Sequence, residues 1–250
     1  MKKNLFLVCL FMFGTLASCQ CSSKKSADNA VVNTTETPVP LGDPFILLHD
    51  GVYYAYGTHS NKGIEFYTSD DLLTWKYGGL ALNKEDSWAD RWFWAPEIYF
   101  VNGKFYMYYS ADEHICVAVA DSPTGPFVQD KKEPMIADEK CIDNSLFIDD
   151  NGTPYLSFVR FNDGNNIWIA ELEKDLITIK KETMHPCLHV TQEWEKVWPR
   201  VNEGSYILKH NGIYYMYYQC DKREPKPFPN GEPFGWSLAV TENLIDFHDY

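Results

Sequence analysis

Four acidic residues stand at the start of short apolar segments that read as β-strands. They are Asp43, Glu97, Asp143 and Glu203, spaced by roughly 50 residues. An ionised carboxylate is costly to bury without a partner, so an acid at such a place is exposed, paired or functional. Carboxylates that share one cavity push one another's pKa values apart, which general acid–base chemistry requires. The four acids are therefore candidates for proton transfer if the fold brings them together.

Each acid opens a repeated unit: a short apolar strand, a glycine turn and an aromatic-rich strand. The units read DPFILLHDGVYYAYGT, EIYFVNGKFYMYYS, DNSLFIDDNGTPYLSF and EGSYILKHNGIYYMYY. Asp-Gly and Asn-Gly between apolar runs are strong hairpin signals. The turn glycines are Gly51, Gly103, Gly152 and Gly212.

Further strand candidates follow each hairpin, so every unit supplies three or four antiparallel strands. Self-similarity at this period, without a helical pattern, predicts an all-β fold, and specifically a β-propeller. The first strand of each propeller blade lines the central channel. We therefore expect the four acids to occupy the same place on the four innermost strands and to meet at one mouth of the channel.

The composition narrows the range of partners. The 250 residues are 45% hydrophobic and 16% aromatic, which suits a β-rich globular protein. The formal net charge of −13 and the absence of a basic patch argue against a nucleic-acid partner and are compatible with neutral substrates.

The N-terminus is typical of a targeting segment rather than of a fold. Lys2 and Lys3 precede an apolar stretch too short to span a bilayer, and Leu16–Cys19 resembles the lipobox of bacterial lipoproteins. We expect residues 1–18 to be a signal peptide and Cys19 to carry lipid, which would be the only membrane contact and would place the protein in the bacterial cell envelope. An ordinary secretory signal is the alternative.

Residues 19–40 are rich in Ser, Thr, Asn and Ala and are predicted to be a flexible tether before the folded domain at residues 41–250. The cysteines beyond Cys19 are odd in number and irregularly spaced, which favours buried thiols over a disulfide framework or a zinc site.

Four motifs in the folded part resemble glycoside hydrolase family 43. Gly42–Phe45 (GDPF) is similar to the family's general-base strand, and Trp94–Glu97 (WAPE) to its second-blade motif. IDNSLFIDDNG is similar to the third-blade motif, and EGSYILKHNGIYYMYYQ to the general-acid strand. The resemblance implies a five-bladed propeller that hydrolyses, with inversion, terminal arabinofuranosyl or xylosyl residues, with galactofuranosyl residues as a further candidate.

The resemblance also implies a role for each acid. Asp43 is expected to be the general base, Glu203 the general acid, and Asp143 the residue that orients Glu203 and raises its pKa. Glu97 is expected to be a supporting acid. The structural alternatives are an Asp-Pro turn for Asp43, a turn or edge aspartate for Asp143 and a solvated strand end for Glu203.

This sequence departs from the family pattern in two ways. Asn144 and Ser205 stand where the family often has proline, and neither change removes a carboxylate. Only about four blades are recognisable, so we expect the chain to be a C-terminally incomplete version of a five-bladed protein, with reduced stability or activity. Closure with four blades is the alternative.

Aromatic residues near the second motif are candidates for sugar contact, because sugar rings stack on aromatic planes. Trp94, Trp92 and His59 are the candidate substrate-binding residues, and core packing or a structural histidine is the alternative for each. Trp88 is a weaker candidate of the same kind. The resemblance implies no required cofactor and allows a structural calcium ion in the channel, while the sequence itself contains no metal-binding motif.

Two other functions fit part of this pattern. A non-catalytic carbohydrate-binding propeller would explain the fold but has no need of three acids. A related propeller glycosidase or phosphorylase would use the same fold, although a phosphorylase needs a basic phosphate pocket that the blades do not display.

Overall fold

The computed structural model describes residues 39–188, 190, 200–221, 234–245 and 247. The predicted signal peptide, the lipidation site Cys19 and all but the end of the predicted tether lie outside these residues. The regular secondary structure of the described chain is almost entirely β-strand, which confirms the predicted all-β class. Its only helices are two 3-10 turns, so none is long and apolar enough to cross a bilayer.

The described strands form four antiparallel sheets, which we call blades 1 to 4 in chain order. Blade 1 contains β1 (Gly42–His49), β2 (Val52–Thr58), β3 (Gly63–Ser69) and β4 (Lys76–Asn83). Blade 2 contains β5 (Trp94–Val101), β6 (Lys104–Ala111) and β7 (His114–Ala120). Blade 3 contains β8 (Cys141–Ile148), β9 (Pro154–Phe161), β10 (Asn165–Glu171) and β11 (His185–Leu188). Blade 4 contains β12 (Asn202–His210), β13 (Ile213–Asp221) and β14 (Phe234–Thr241).

The predicted hairpin turns are confirmed by the backbone at the four glycines. Gly51, Gly103, Gly152 and Gly212 all have φ between 80° and 82°. In three hairpins the preceding residue also has a positive φ, which gives the two-residue turn that matches strand twist. A Cβ at these glycines would meet no atom, so the backbone conformation alone favours glycine there.

Apolar side chains fill the space between consecutive blades. One core cluster includes Leu82 and Met107 of blades 1 and 2, and another includes Val117 and Leu156 of blades 2 and 3. A third joins blades 3 and 4. Each such fully buried side chain contributes about 1.5–3 kcal/mol relative to exposure. The predicted buried thiols belong to these layers: Cys116, Cys141, Cys187 and Cys220 are buried, and among the described residues none of them forms a disulfide.

The packing sets the innermost strands side by side. Strand β1 lies against β5, β5 against β8, and β8 against β12. The four strands that begin with the candidate acids therefore follow one another around a common centre, as the propeller prediction requires.

The outward faces of blades 1 and 4 carry exposed apolar residues. Phe45 and Leu47 pack toward blade 2, and side chains alternate along a strand, so Ile46 and Leu48 point away from it; each is 49% exposed. On β12 Ile207 packs toward blade 3, and Leu208 on the opposite face is 43% exposed.

Candidate active site

Every innermost strand contains a β-bulge near its first residues. In each pair of inner strands two residues lie opposite one, and the first of the two has a positive φ. We call this first residue the bulge position. It is occupied by Asp43 (φ 45°), Ala95 (φ 43°), Asp143 (φ 56°) and Gly204 (φ 59°). Asp and Gly tolerate this left-handed conformation better than Ala does.

The bulges correct the predicted register of the acids. Asp43 and Asp143 do share one position, but Glu203 lies one residue before the bulge position of blade 4, and Glu97 lies two residues after that of blade 2. The common-register expectation was therefore wrong for Glu97 and Glu203. A bulge interrupts the alternation of side chains between the two faces of a strand. Acids at different positions relative to the bulge can therefore still point toward the same part of the channel.

The four acids nevertheless converge, and Asp143 is at the centre of the group. The negative charges of Glu203, Asp43 and Glu97, which come from the three other blades, all act on its carboxyl group. Burial first, and then these neighbouring charges, raise the pKa of Asp143 to about 8. The main-chain N–H of Gly204 donates to its Oδ2 across 3.2 Å and opposes this shift. Asp143 is therefore protonated much more readily than an ordinary aspartate.

Asp43 is exposed, and a hydroxyl group holds one of its oxygens. Thr58, at the end of β2, donates from Oγ1 to Oδ2 of Asp43 at 2.6 Å. The same Oγ1 accepts the N–H of Ala95 from blade 2 at 2.9 Å. Within the described contacts no donor reaches the second oxygen of Asp43.

Glu203 is partly buried at the start of β12. Its Oε2 accepts a hydrogen bond of 2.8 Å from Nδ2 of Asn165, which begins β10 in blade 3. Glu203 is thus linked to blade 3 through Asn165 and through its charge interaction with Asp143.

Glu97 is bonded to hydroxyl groups rather than to a cation in the described contacts. Tyr99 donates to its Oε2, and the Tyr99 hydroxyl also lies 3.2 Å from Oγ of Ser145. Burial raises the pKa of Glu97 to about 7, and the Tyr99 and Ser145 hydroxyls counteract part of that shift. This arrangement suits the supporting part expected of Glu97.

The candidate aromatic residues form a stack beside this group. The rings of Trp92 and Trp94 are 5.8 Å apart and nearly parallel, and the Arg91 guanidinium lies 4.4 Å from the Trp92 ring. Asp112 holds Arg91 at 2.7 Å. Trp94 immediately precedes the bulge position of blade 2, and Trp92 is 40% exposed.

The other two candidates for sugar contact, His59 and Trp88, are both in contact with side chains of this protein. Nδ1 of His59 lies 2.6 Å from Oε2 of Glu65 on β3, and the His59 side chain is 47% exposed. The Trp88 ring packs edge-on against His114 and against the core of blades 1 and 2. Trp88 therefore has the core-packing role that was the alternative to sugar contact.

Among the described residues no three His, Cys, Asp or Glu side chains are arranged to hold a metal ion. The calcium ion that the resemblance allows stays a prediction, and no step below uses one.

Sequence reasoning missed Thr58, Ser110 and Asn165, which hold the acids and the bulges. Their signal in the sequence is weak, because isolated Thr, Ser and Asn residues are common at strand ends. The structure identifies them by their partners.

Comparisons with known proteins agree with this architecture. The family model described as glycosyl hydrolases family 43 matches residues 35–227. The solved structure of an endo-1,4-beta-xylanase from Bacteroides thetaiotaomicron is 44% identical, with a TM-score of 0.75, and the match covers 82% of this chain and 70% of that one.

Two curated relatives extend the comparison. Xylosidase/arabinosidase 43A of Humicola insolens is 37% identical over 240 residues, covering 73% of each protein. An extracellular exo-alpha-(1->5)-L-arabinofuranosidase of Cellvibrio japonicus is 27% identical, covering 72% of this chain and 58% of that protein. The chain thus spans little more than half the length of the second relative. With the family match extending over most of its length, this chain belongs to glycoside hydrolase family 43.

Proposed function

We propose that this protein is an inverting, exo-acting glycoside hydrolase that removes terminal arabinofuranosyl or xylosyl residues from plant-type polysaccharides or oligosaccharides. Galactofuranosyl residues are a third candidate, because one relative is named a beta-D-galactofuranosidase. The observation that carries the proposal is the convergence of Asp43, Asp143 and Glu203 from three blades. The names of the xylosidase/arabinosidase and arabinofuranosidase relatives support the sugar class.

Asp43 is the proposed general base. Inverting hydrolysis needs a carboxylate that takes a proton from water on one face of the sugar, about 6.5–9.5 Å from the acid on the other face. Asp43 is exposed to water, and Thr58 occupies only its Oδ2. The second oxygen is free to accept the proton while the first stays anchored.

Glu203 is the proposed general acid, and Asp143 is its partner. Two carboxylates in electrostatic contact do not ionise independently, so near neutral pH the pair tends to retain one proton. Because the pKa of Asp143 is itself raised to about 8, we assign that proton to the pair rather than to Glu203 alone. Glu203 delivers this shared proton to the leaving oxygen, and Asp143 orients Glu203 for the transfer.

The test is turnover of aryl arabinofuranosides, xylosides and galactofuranosides by the 250-residue chain, with the first-formed anomer read by proton NMR. Replacement of Asp43 by Asn or of Glu203 by Gln should reduce turnover at least about 100-fold, since general acid–base groups contribute about 10²–10⁴-fold. Asp130→Asn and Glu173→Gln, at exposed acids outside the site, are the matched controls. Retention of anomeric configuration, or turnover without either acid, would reject the proposal.

A second candidate is endo action on xylan, favoured by the name of the structure that is 44% identical. Product sizes separate the two actions, because an exo enzyme releases single sugars from the start, whereas an endo enzyme first releases oligosaccharides. A carbohydrate-binding propeller would bind these ligands without hydrolysing any of them, and Glu203→Gln would leave that binding intact.

The lipid anchor remains part of the proposal. The lipobox-like Leu16–Cys19 supports cleavage before Cys19 and attachment to the cell envelope. Labelling with a radioactive fatty acid in a bacterial host should mark the wild-type chain and fail to mark Cys19→Ala. Equal labelling of both chains would exclude this site.

The exposed apolar faces of blades 1 and 4 support a fifth sheet that packs against both. Ile46 and Leu48 on one face and Leu208 on the other would be covered by such a sheet. Binding of a hydrophobic dye to the folded 250-residue chain, reduced by polar replacement of these residues, is the expected result. Dye binding that does not respond to them would contradict the fifth sheet.

A further inference from the structure

One register position links neighbouring blades. It lies on the second strand of each blade, opposite the residue that precedes the bulge position, and we call it the junction position. Its occupants are Thr58, Ser110, Val159 and Gln219.

In blades 1 and 2 the junction residue accepts the bulge N–H of the following blade. Thr58 accepts from Ala95 at 2.9 Å, and Ser110 accepts from Asp143 at 3.0 Å. In blade 3 the junction residue is the buried Val159, which has no acceptor, and the N–H of Gly204 goes to the Asp143 carboxylate instead. The hydroxyl groups of Thr58 and Ser110 therefore make equivalent hydrogen bonds, each of which connects one blade to the next.

Thr58 also makes a second hydrogen bond. Its hydroxyl donates to Oδ2 of Asp43 at 2.6 Å while it accepts from Ala95. A hydrogen bond to a charged acceptor is stronger than a neutral one, and the β-branched Thr side chain has few rotamers. Asp43 is exposed, so this bond is the constraint on its side chain among the described contacts.

We propose that Thr58 is a positioning residue for Asp43. Its hydroxyl group holds the Asp43 carboxylate in the orientation needed to activate water, and it ties that carboxylate to the backbone of blade 2 through the N–H of Ala95. The proposal rests on the proposed role of Asp43 as the general base. It adds a residue that is not one of the four acids. It also implies that the backbone position of blade 2 helps to determine the orientation of the base in blade 1.

The experiment compares Thr58→Val and Thr58→Ser with the wild-type chain on aryl glycosides with good and poor leaving groups. Valine keeps the shape and removes both hydrogen bonds, and serine keeps the hydroxyl. We expect Thr58→Val to lower kcat about 10- to 100-fold, the range for a lost bond to a charged group. KM should change little, and Thr58→Ser should recover most of the rate. Thr68→Val, on β3 of the same blade, is the matched control and should keep wild-type rates.

The leaving group separates an effect on the base from an effect on the acid. Base assistance acts on water, so the loss in Thr58→Val should be equally large for good and poor leaving groups. A loss confined to poor leaving groups would implicate the acid and overturn the proposal. An unchanged kcat in a folded Thr58→Val protein would also overturn it.

A crystal structure of Thr58→Val gives a readout that does not depend on turnover. The Asp43 carboxylate should leave its wild-type orientation, and an unmoved Asp43 would refute the positioning role. Absence of turnover by the wild-type chain would instead count against the proposed function, so the two failures are distinguishable.

Discussion

The main-chain N–H of Gly204 donates to Oδ2 of Asp143 across the boundary between blades 3 and 4. Gly204 follows Glu203 directly, so this bond ties the backbone beside one acid to the carboxylate of the other. It also explains how two acids from different bulge registers come into electrostatic contact. The bond depends on Val159, which leaves the Gly204 N–H without a hydroxyl acceptor.

Asp143→Asn tests the coupling of this acid to Glu203. Asn keeps the shape but cannot share a proton with Glu203, so kcat/KM should fall about 10²- to 10⁴-fold. The loss should be larger for poor leaving groups, which need more protonation. Measurement of kcat/KM across a leaving-group series checks this, and a loss independent of the leaving group would contradict it.

The stability of the protein should depend on pH through Asp143. Its folded pKa of about 8 lies far above the unfolded value of 3.8, so the unfolded chain releases this proton first. Between about pH 4 and pH 8 the native state binds more protons, and its stability contribution from this group falls as the pH rises. Asp143→Asn cannot ionise, so its free energy of unfolding should gain on that of the wild type between pH 5 and pH 8. Urea unfolding at the two pH values measures the difference, and a constant difference would exclude the shift.

Val159→Thr introduces a hydroxyl at the junction position of blade 3. We expect it to capture the N–H of Gly204, and because that N–H lowers the pKa of Asp143, its loss should raise this pKa further. Because the pair then gives up its proton less readily, activity should fall most on substrates with poor leaving groups. Val117→Thr, at a buried valine of β7 in a different core cluster, controls for the cost of burying a hydroxyl, about 1–3 kcal/mol. Equal effects of both variants on activity would argue against a specific junction effect.

Trp94→Ala tests sugar contact at the aromatic stack. An aromatic contact contributes about 0.5–1.5 kcal/mol beyond its buried area, so KM should rise about 2- to 10-fold. Trp92→Ala should raise KM less, because Trp92 lies farther from the bulge and also stacks with Arg91. His59→Ala should leave KM within about twofold, since its ring is bonded to Glu65. Steady-state kinetics of the three variants rank their effects on KM. A larger rise in KM for His59→Ala than for Trp94→Ala would contradict sugar contact at the aromatic stack.

Gly103→Ala tests the conformational requirement of the hairpin turns. A Cβ there meets no atom, but φ is 81°, so strain alone should destabilise the protein by about 1–2 kcal/mol. Urea unfolding of the variant measures this loss. A change below about 0.5 kcal/mol, the size typical of neutral surface replacements, would show that the turn relaxes instead.

The hairpins and the sheets were predictable because their signals are local. Asn102–Gly103 and Asn211–Gly212 encode their own turns, and the aromatic strands beside them alternate with the period of a sheet. The convergence of Asp43, Asp143 and Glu203 followed from the repeat of this unit.

The bulges and the residues that hold the acids were not predictable in the same way. The repeat aligns acids by their distance from the turn, whereas the bulge inserts a residue whose position depends on pairing with the second strand. Ala95 shows this most clearly, because nothing about an alanine between Trp94 and Pro96 signals a positive φ. Thr58 and Asn165 act through partners in other blades, which local patterns do not encode.

The bulge in blade 2 carries no acid, yet its backbone has the same form as those of Asp43 and Asp143. The conformation is therefore a property of the blade, present before any chemistry is assigned to it. Each described blade therefore presents the same backbone shape, and the residues at and next to the bulge position supply the side chains that face the acids. A replacement at the bulge position of blade 2 would therefore change a side chain near the acids without changing the strand pairing that makes the bulge.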